Sequence, residues 1–170
     1  MKTTAEMLCA LAATPAARLT LRAVALTERW PTPLFDLGIR LYVADVFFRS
    51  GWLKISDWSS TLALFESVYQ VPLLPPHVAA MMGTAGELGL SVLLALGLAG
   101  RFGAAGLTVV NIVAATSFPD ISDLGLQDHL LWGMLLLVTL LHGPGRLSLD
   151  RWLCGKCAAG STRHEARQSG

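Results

Sequence analysis

Residues 35–55 read FDLGIRLYVADVFFRSGWLKI, a segment of membrane-spanning length that nevertheless carries Asp36, Arg40, Asp45, Arg49 and Lys54. It is apolar enough to enter a bilayer and charged enough to resist it. Either it is a soluble amphipathic helix, or its charges are paired and hidden.

The rest of the 170 residues decides between these. Hydrophobic residues make up 53% and charged residues 15%, against about 25% charged in an average soluble domain. Residues 78–100, VAAMMGTAGELGLSVLLALGLAG, hold Glu87 as their only charge, and 102–118, FGAAGLTVVNIVAATSF, hold none. Residues 124–143, LGLQDHLLWGMLLLVTLLHG, carry Asp128 with His129 beside it and are then apolar to Leu141. A membrane helix needs roughly 20 mainly apolar residues. A soluble helix would keep a polar face, and these stretches have none. The expected fold is therefore all-α, a four-helix transmembrane bundle over 34–153 with 35–55 as its first span. Residues 1–33 form a cytoplasmic or interfacial segment, with 16–30 read as a short interfacial helix ending before Pro31 and Pro33, and 154–170 a disordered cytoplasmic tail. The chain makes one domain. Its net charge of +1, with the bases collected at the two ends, leaves no basic stripe for nucleic acid. The bilayer is the first partner expected.

Lys and Arg placement orients the bundle. Lys2, Arg18, Arg22 and Arg29 precede it, Arg101 sits in the link between the second and third spans, and Arg146, Arg151, Lys156, Arg163 and Arg167 follow it. Residues 56–77 and 117–125 carry only the acids Asp57, Glu66, Asp120 and Asp123. Positive residues stay on the cytoplasmic side, so both termini are expected there. In the first outer link, Ser56 or Asp57 is placed to cap a short helix with Leu62, Phe65 and Tyr69 on one face, stopped by Pro72, Pro75 and Pro76.

At about 100° per residue, Asp36, Arg40 and Lys54 share one side of the first helix, and Asp45 and Arg49 point roughly opposite. The first three lie near the ends, where long side chains snorkel to headgroups. Asp45 and Arg49 lie near mid-span, where a charge costs about 2.5–3.5 kcal/mol. With Glu87 at a similar depth, Arg49 is expected to hold both carboxylates, giving a buried cluster of Asp45, Arg49 and Glu87. Two readings stay open for it: a clamp that fixes helix register, or a proton or ligand site. Lys54, Asp128 and His129, level with one another, form a candidate outer-side ligand site where a histidine beside acids relays protons or meets a quinone carbonyl. The bland alternative is an interfacial histidine. Asn111 reads as interhelical glue, and Gly83, Gly86, Gly89, Gly103 and Gly106 as sites of close helix approach. Cys154 and Cys157 form a lone CxxC with no second pair, so no metal site is assigned and the reading without function is preferred.

These segments resemble the DoxX family of small membrane proteins, through RLYVADVFFRSGWLKI (40–55), GELGLSVLLALGLAGRFGA (86–104) and HGPGRLSLDRWL (142–153). Arg40, Gly51, Lys54, Glu87, Gly89, Gly143, Gly145, Ser148 and Asp150 fall where the family's recurrent residues fall. The resemblance implies a four-helix membrane fold in a bacterial inner membrane. It also implies an accessory subunit of a redox-linked system, acting on quinone or against thiol and oxidative stress, with other membrane or peripheral proteins as partners. The alternative it implies is a non-catalytic anchor or assembly factor for a copper-binding modified-peptide or metal-stress system. The topology is testable with reporter fusions: those at Ser60 and Ser122 should report the periplasm and one at Gly170 the cytoplasm. A periplasmic carboxyl end would refute the arrangement.

Overall fold

The structure, a computed structural model, describes residues 14, 15, 17, 19, 20 and 31–153. The chain divides into two units, Met1–Phe35 and Asp36–Gly170. In the first, the Thr14 hydroxyl accepts from the Ala17 N–H at 3.3 Å, and positions 15, 17, 19 and 20 are helical. The expected interfacial helix over 16–30 otherwise lies outside the described residues, as do Cys154, Cys157 and the tail.

Among the described residues follow the helices α1 (Pro31–Ser56), α2 (Trp58–Ser67), α3 (Pro76–Leu96), α4 (Gly100–Ser117) and α5 (Asp123–His142), and residues 149–153 are helical as well. Among the described residues there are no strands. α1 as described takes in both Pro31 and Pro33. α2 is the helix expected in the first outer link. The Asp57 carboxylate caps it, accepting from the Ser60 N–H at 3.1 Å and the Ser59 hydroxyl at 3.0 Å, and these bonds hold the Asp57 pKa below its ordinary value. Ser122 caps α5 in the same way, through Gly125 N–H at 3.1 Å.

α3 stops at Leu96, short of the apolar run that continues to Gly100. Gly97 takes the left-handed conformation with φ +65°, and Leu98 N–H returns to the Leu93 carbonyl at 3.1 Å, the bond that closes a helix end of this kind. The short link places α4 antiparallel to α3. α4 packs against both α3 and α5, and α2 packs on α3. One buried cluster joins all four long helices: Val43, Ala44 and Phe47 of α1, Leu94 of α3, Ala104 and Leu107 of α4, and Leu136 of α5. A second holds Phe65 of α2 against Ala79 and Ala80 of α3.

α3 and α5 are long and apolar enough to cross a membrane. Their apolar windows are only 33% and 11% buried within the protein, whereas the core helix of a soluble protein is mostly covered. α1, with its five charges, and α4, with Arg101 and Asn111, fall short of the same measure. Leu53, Val109, Leu130 and Leu141 are among many large apolar side chains left exposed. An apolar surface of this extent is the mark of a lipid or protein contact.

α1 turns a single face inward. Arg40, Val43, Ala44, Phe47 and Gly51 are buried, with Lys54 completing the stripe at helical spacing. At its first end, the buried Arg40 guanidinium donates to three main-chain carbonyls, those of Pro144, Leu147 at 2.9 Å and Ala95 at 3.3 Å. A Cβ at Gly97 would lie 2.6 Å from Arg40 Nη1, so a side chain there would displace the guanidinium. Asp150 closes the same knot, its carboxylate accepting from the N–H groups of Ala99 at 2.9 Å and Gly100 at 3.1 Å. Arg40 is thus a structural tie, where the sequence suggested a headgroup-seeking side chain.

Candidate functional site

The second polar centre lies at the other end of the inward face, about 21 Å from Arg40 along α1 at 1.5 Å per residue. Lys54 Nζ donates to both Glu87 oxygens at 2.7 Å and to the Ser50 hydroxyl at 2.8 Å. The side chains of Lys54 and Glu87 are 20% and 7% exposed. Gly51 makes this possible: a Cβ there would meet Leu88 Cγ at 2.8 Å and Glu87 Cβ at 3.1 Å. α1 and α3 touch at that point because α1 carries no side chain on it.

This arrangement corrects the expected cluster of Asp45, Arg49 and Glu87. Asp45 and Arg49 do bond, Oδ2 to Nε at 2.8 Å, but their side chains are 55% and 78% exposed on the outer face of α1. Five residues separate Arg49 from Lys54, a rotation of about 140°, so the two bases cannot share one carboxylate on a neighbouring helix. The base that faces α3 is Lys54.

Two cavities flank the pair. One, of about 250 Å³, runs between α3, α4 and the segment after α2, with Phe65, Tyr69, Gly83, Val110 and Ser117 in its wall. The other, of about 370 Å³, lies among α1, α4 and α5 and is walled by Phe47, Ser50, Phe118, His129 and Trp132. Lys54, Tyr69, Glu87 and Ala114 line both. Such mostly apolar walls with a few convergent polar groups are typical of small-molecule sites. Burial, reinforced by the negative charge of Glu87, raises the Tyr69 phenol above its ordinary pKa, which keeps it a hydrogen-bond donor. The Tyr69 ring packs on Phe65 and Phe118, and the Gln70 N–H binds the Ser117 carbonyl at 2.8 Å. The roof of the site is thereby tied to the end of α4.

The candidate outer-side group of Lys54, Asp128 and His129 is assembled in part. Lys54 and His129 line one cavity, whereas Asp128 is exposed and lines neither. Adjacent helical residues point about 100° apart, so only one of the two turns inward. Asn111 fixes the His129 tautomer. Its Nδ2 donates to the His129 carbonyl at 2.9 Å, which leaves Oδ1 to meet His129 Nδ1 at 2.8 Å. A neutral ring must therefore carry its proton on Nδ1 and present Nε2 as an acceptor. Asn111, read from sequence as glue, is the positioning residue for His129. Ser50 and Tyr69 were not foreseen as members of the site. Among the described residues no group of three or more His, Cys, Asp or Glu side chains is placed to hold a metal ion.

Long helices with an apolar outer surface, closed at two depths by charged ties, define a small helical membrane protein. The family model for DoxX matches residues 35–120, and the chain belongs to the DoxX family. It is 31% identical over 121 residues to an uncharacterized protein of Haemophilus influenzae, covering 67% of this chain and 80% of that relative. No solved structure matches the chain. The family match takes in Arg40, Gly51, Lys54 and Glu87 but ends before His129.

Removing one partner of a buried ion pair leaves an uncompensated charge, at a cost of about 3–5 kcal/mol, while replacing both by apolar residues is often neutral. Lys54→Met alone should therefore destabilise the purified protein strongly in denaturant titration. Lys54→Met with Glu87→Met should recover most of the loss. Simple additivity of the two substitutions would contradict a coupled pair.

Proposed function

We propose that this is a multi-pass protein of a bacterial inner membrane, with α1, α3, α4 and α5 crossing the bilayer and both termini cytoplasmic. On this reading it is an accessory subunit of a redox-linked membrane system and holds a quinone-type head group beside Lys54 and Glu87. The observation that carries it is the pair of apolar cavities meeting at one buried ion pair. Family membership supports the membrane setting, and the chemistry of the walls supports the ligand class. A quinone is a flat apolar ring with two carbonyl oxygens that become hydroxyls on reduction. Tyr69 is a donor suited to a carbonyl, and His129 Nε2 and Glu87 are acceptors suited to the hydroxyls; Lys54, whose three N–H groups are engaged by Glu87 and Ser50, reaches a carbonyl only by exchanging one of those bonds. The protein supplies binding and orientation while a partner subunit supplies the electrons.

The competing reading, an anchor or assembly factor for a copper-binding modified-peptide or metal-stress system, gains from the completeness of the ion pair. Both Glu87 oxygens are already engaged by Lys54, as a purely structural lock requires.

Titration of the purified, detergent-solubilised protein with a short-chain benzoquinone separates the two. Saturable binding is expected, with His129→Ala weakening it about tenfold, the worth of one hydrogen bond of roughly 1.4 kcal/mol. Helix content and solubility should be unchanged in that variant. Absence of saturable binding by the wild-type protein would remove the quinone reading and leave the anchor.

A further inference from the structure

The outer face of α1 holds the two charges that the bundle does not use. Asp45 and Arg49 form a 2.8 Å pair with side chains 55% and 78% exposed. They sit among exposed Leu41, Phe48 and Trp52, and the Phe48 and Trp52 rings stack with centroids 6.2 Å apart. Beside them, Leu41, Ala44, Asp45 and Phe48 form a shallow groove with Ser91 and Val92 of α3. In water an exposed pair of this kind contributes about 0–1 kcal/mol and requires no explanation. Within a bilayer each charge costs about 2.5–3.5 kcal/mol at the centre of a span. Both residues lie between Arg40 and Lys54 on α1, and so inside the apolar layer if α1 crosses the membrane. Their bond uses Arg49 Nε, which leaves the two terminal nitrogens of the guanidinium for a second carboxylate.

We propose that this face is the contact between two copies of the chain. The inference rests on the reading that α1 spans the bilayer. An acid and a base one turn apart form a motif of zero net charge that is complementary to itself. A copy related by a two-fold axis along the bundle brings its own pair alongside at the same depth. Each Arg49 then bridges its own Asp45 and the partner's Asp45, so four charges neutralise one another away from lipid. The exposed aromatic and aliphatic side chains around them supply the apolar rim of the contact.

The test uses the full chain reconstituted in lipid vesicles, with association read from single-molecule photobleaching of labelled copies. The wild type should be dimeric. Asp45→Arg copies and Arg49→Asp copies should each associate at least tenfold more weakly, because each would gather four like charges. Mixed together, the two variants should associate with one another, since each then supplies the sign that the other lacks. A monomeric wild type, variants that remain dimeric alone, or a mixture that associates no better than its components would overturn the proposal. The bilayer reading is checked separately in the Asp45→Arg copy, with Leu41→Cys and Phe48→Cys exposed to a membrane-impermeant maleimide. Protection there with no dimer in any sample sinks the contact alone. Labelling sinks the placement of α1 and the contact together.

Discussion

The bond between Lys54 and Glu87 sets the terms for the rest of the bundle. A carboxylate buried on α3 must be paired, and α1 supplies the base only if its inward face ends at Lys54. That requirement fixes the rotation of α1 about its axis, and Gly51 fixes its distance from α3 at the same level. Phe47, one turn before Gly51, then falls against Trp132 of α5 with ring centroids 6.0 Å apart. One ion pair and one missing side chain thus decide which residues of α1 meet each of its neighbours.

Arg40 repeats the device at the opposite end with different chemistry. Its partners are carbonyls of a loop and a helix end, at Pro144, Leu147 and Ala95. The guanidinium thereby supplies donors to backbone groups at a buried end of the bundle. The stretch GPGRLSLD can close over the bundle end because Arg40 and Asp150 hold it from two sides. Two ties about four turns apart on one helix leave α1 little freedom to slide or rotate. The cavities beside Lys54 are accordingly framed by fixed walls, which is what a binding site needs from its scaffold.

Much of this was legible in the sequence. Hydropathy located the long helices, Asp57 marked the start of α2, which ends at Ser67 before Tyr69 and the prolines are reached, and the 100° rule divided the charges of α1 into two sets. What failed was the choice of which set faces inward. Depth along the span does not decide which charges are hidden; the face a residue occupies decides it first. Arg40, Gly51 and Lys54 already form one stripe at spacings of eleven and three residues, and the glycine in that stripe pointed to a close contact. Asp128 and His129 failed to assemble together for the same reason, being neighbours on a helix and so on different faces. The Arg40 knot was harder to foresee, since main-chain carbonyls carry no signature of their own. Its traces were the segment HGPGRLSLDRWL and the place of Arg40, Ser148 and Asp150 among the residues that carry the family resemblance, neither of which names a bonding partner.

The most direct test of this account is zero-length cross-linking with a membrane-permeant carbodiimide, followed by peptide mass spectrometry. A lysine amine held 2.7 Å from a carboxylate should form an amide joining Lys54 to Glu87. That link should vanish in Glu87→Gln and persist in Arg49→Gln, because Arg49 faces away. Folded protein that yields no such link, or a link lost when Arg49 is replaced, would contradict the inward face assigned to α1.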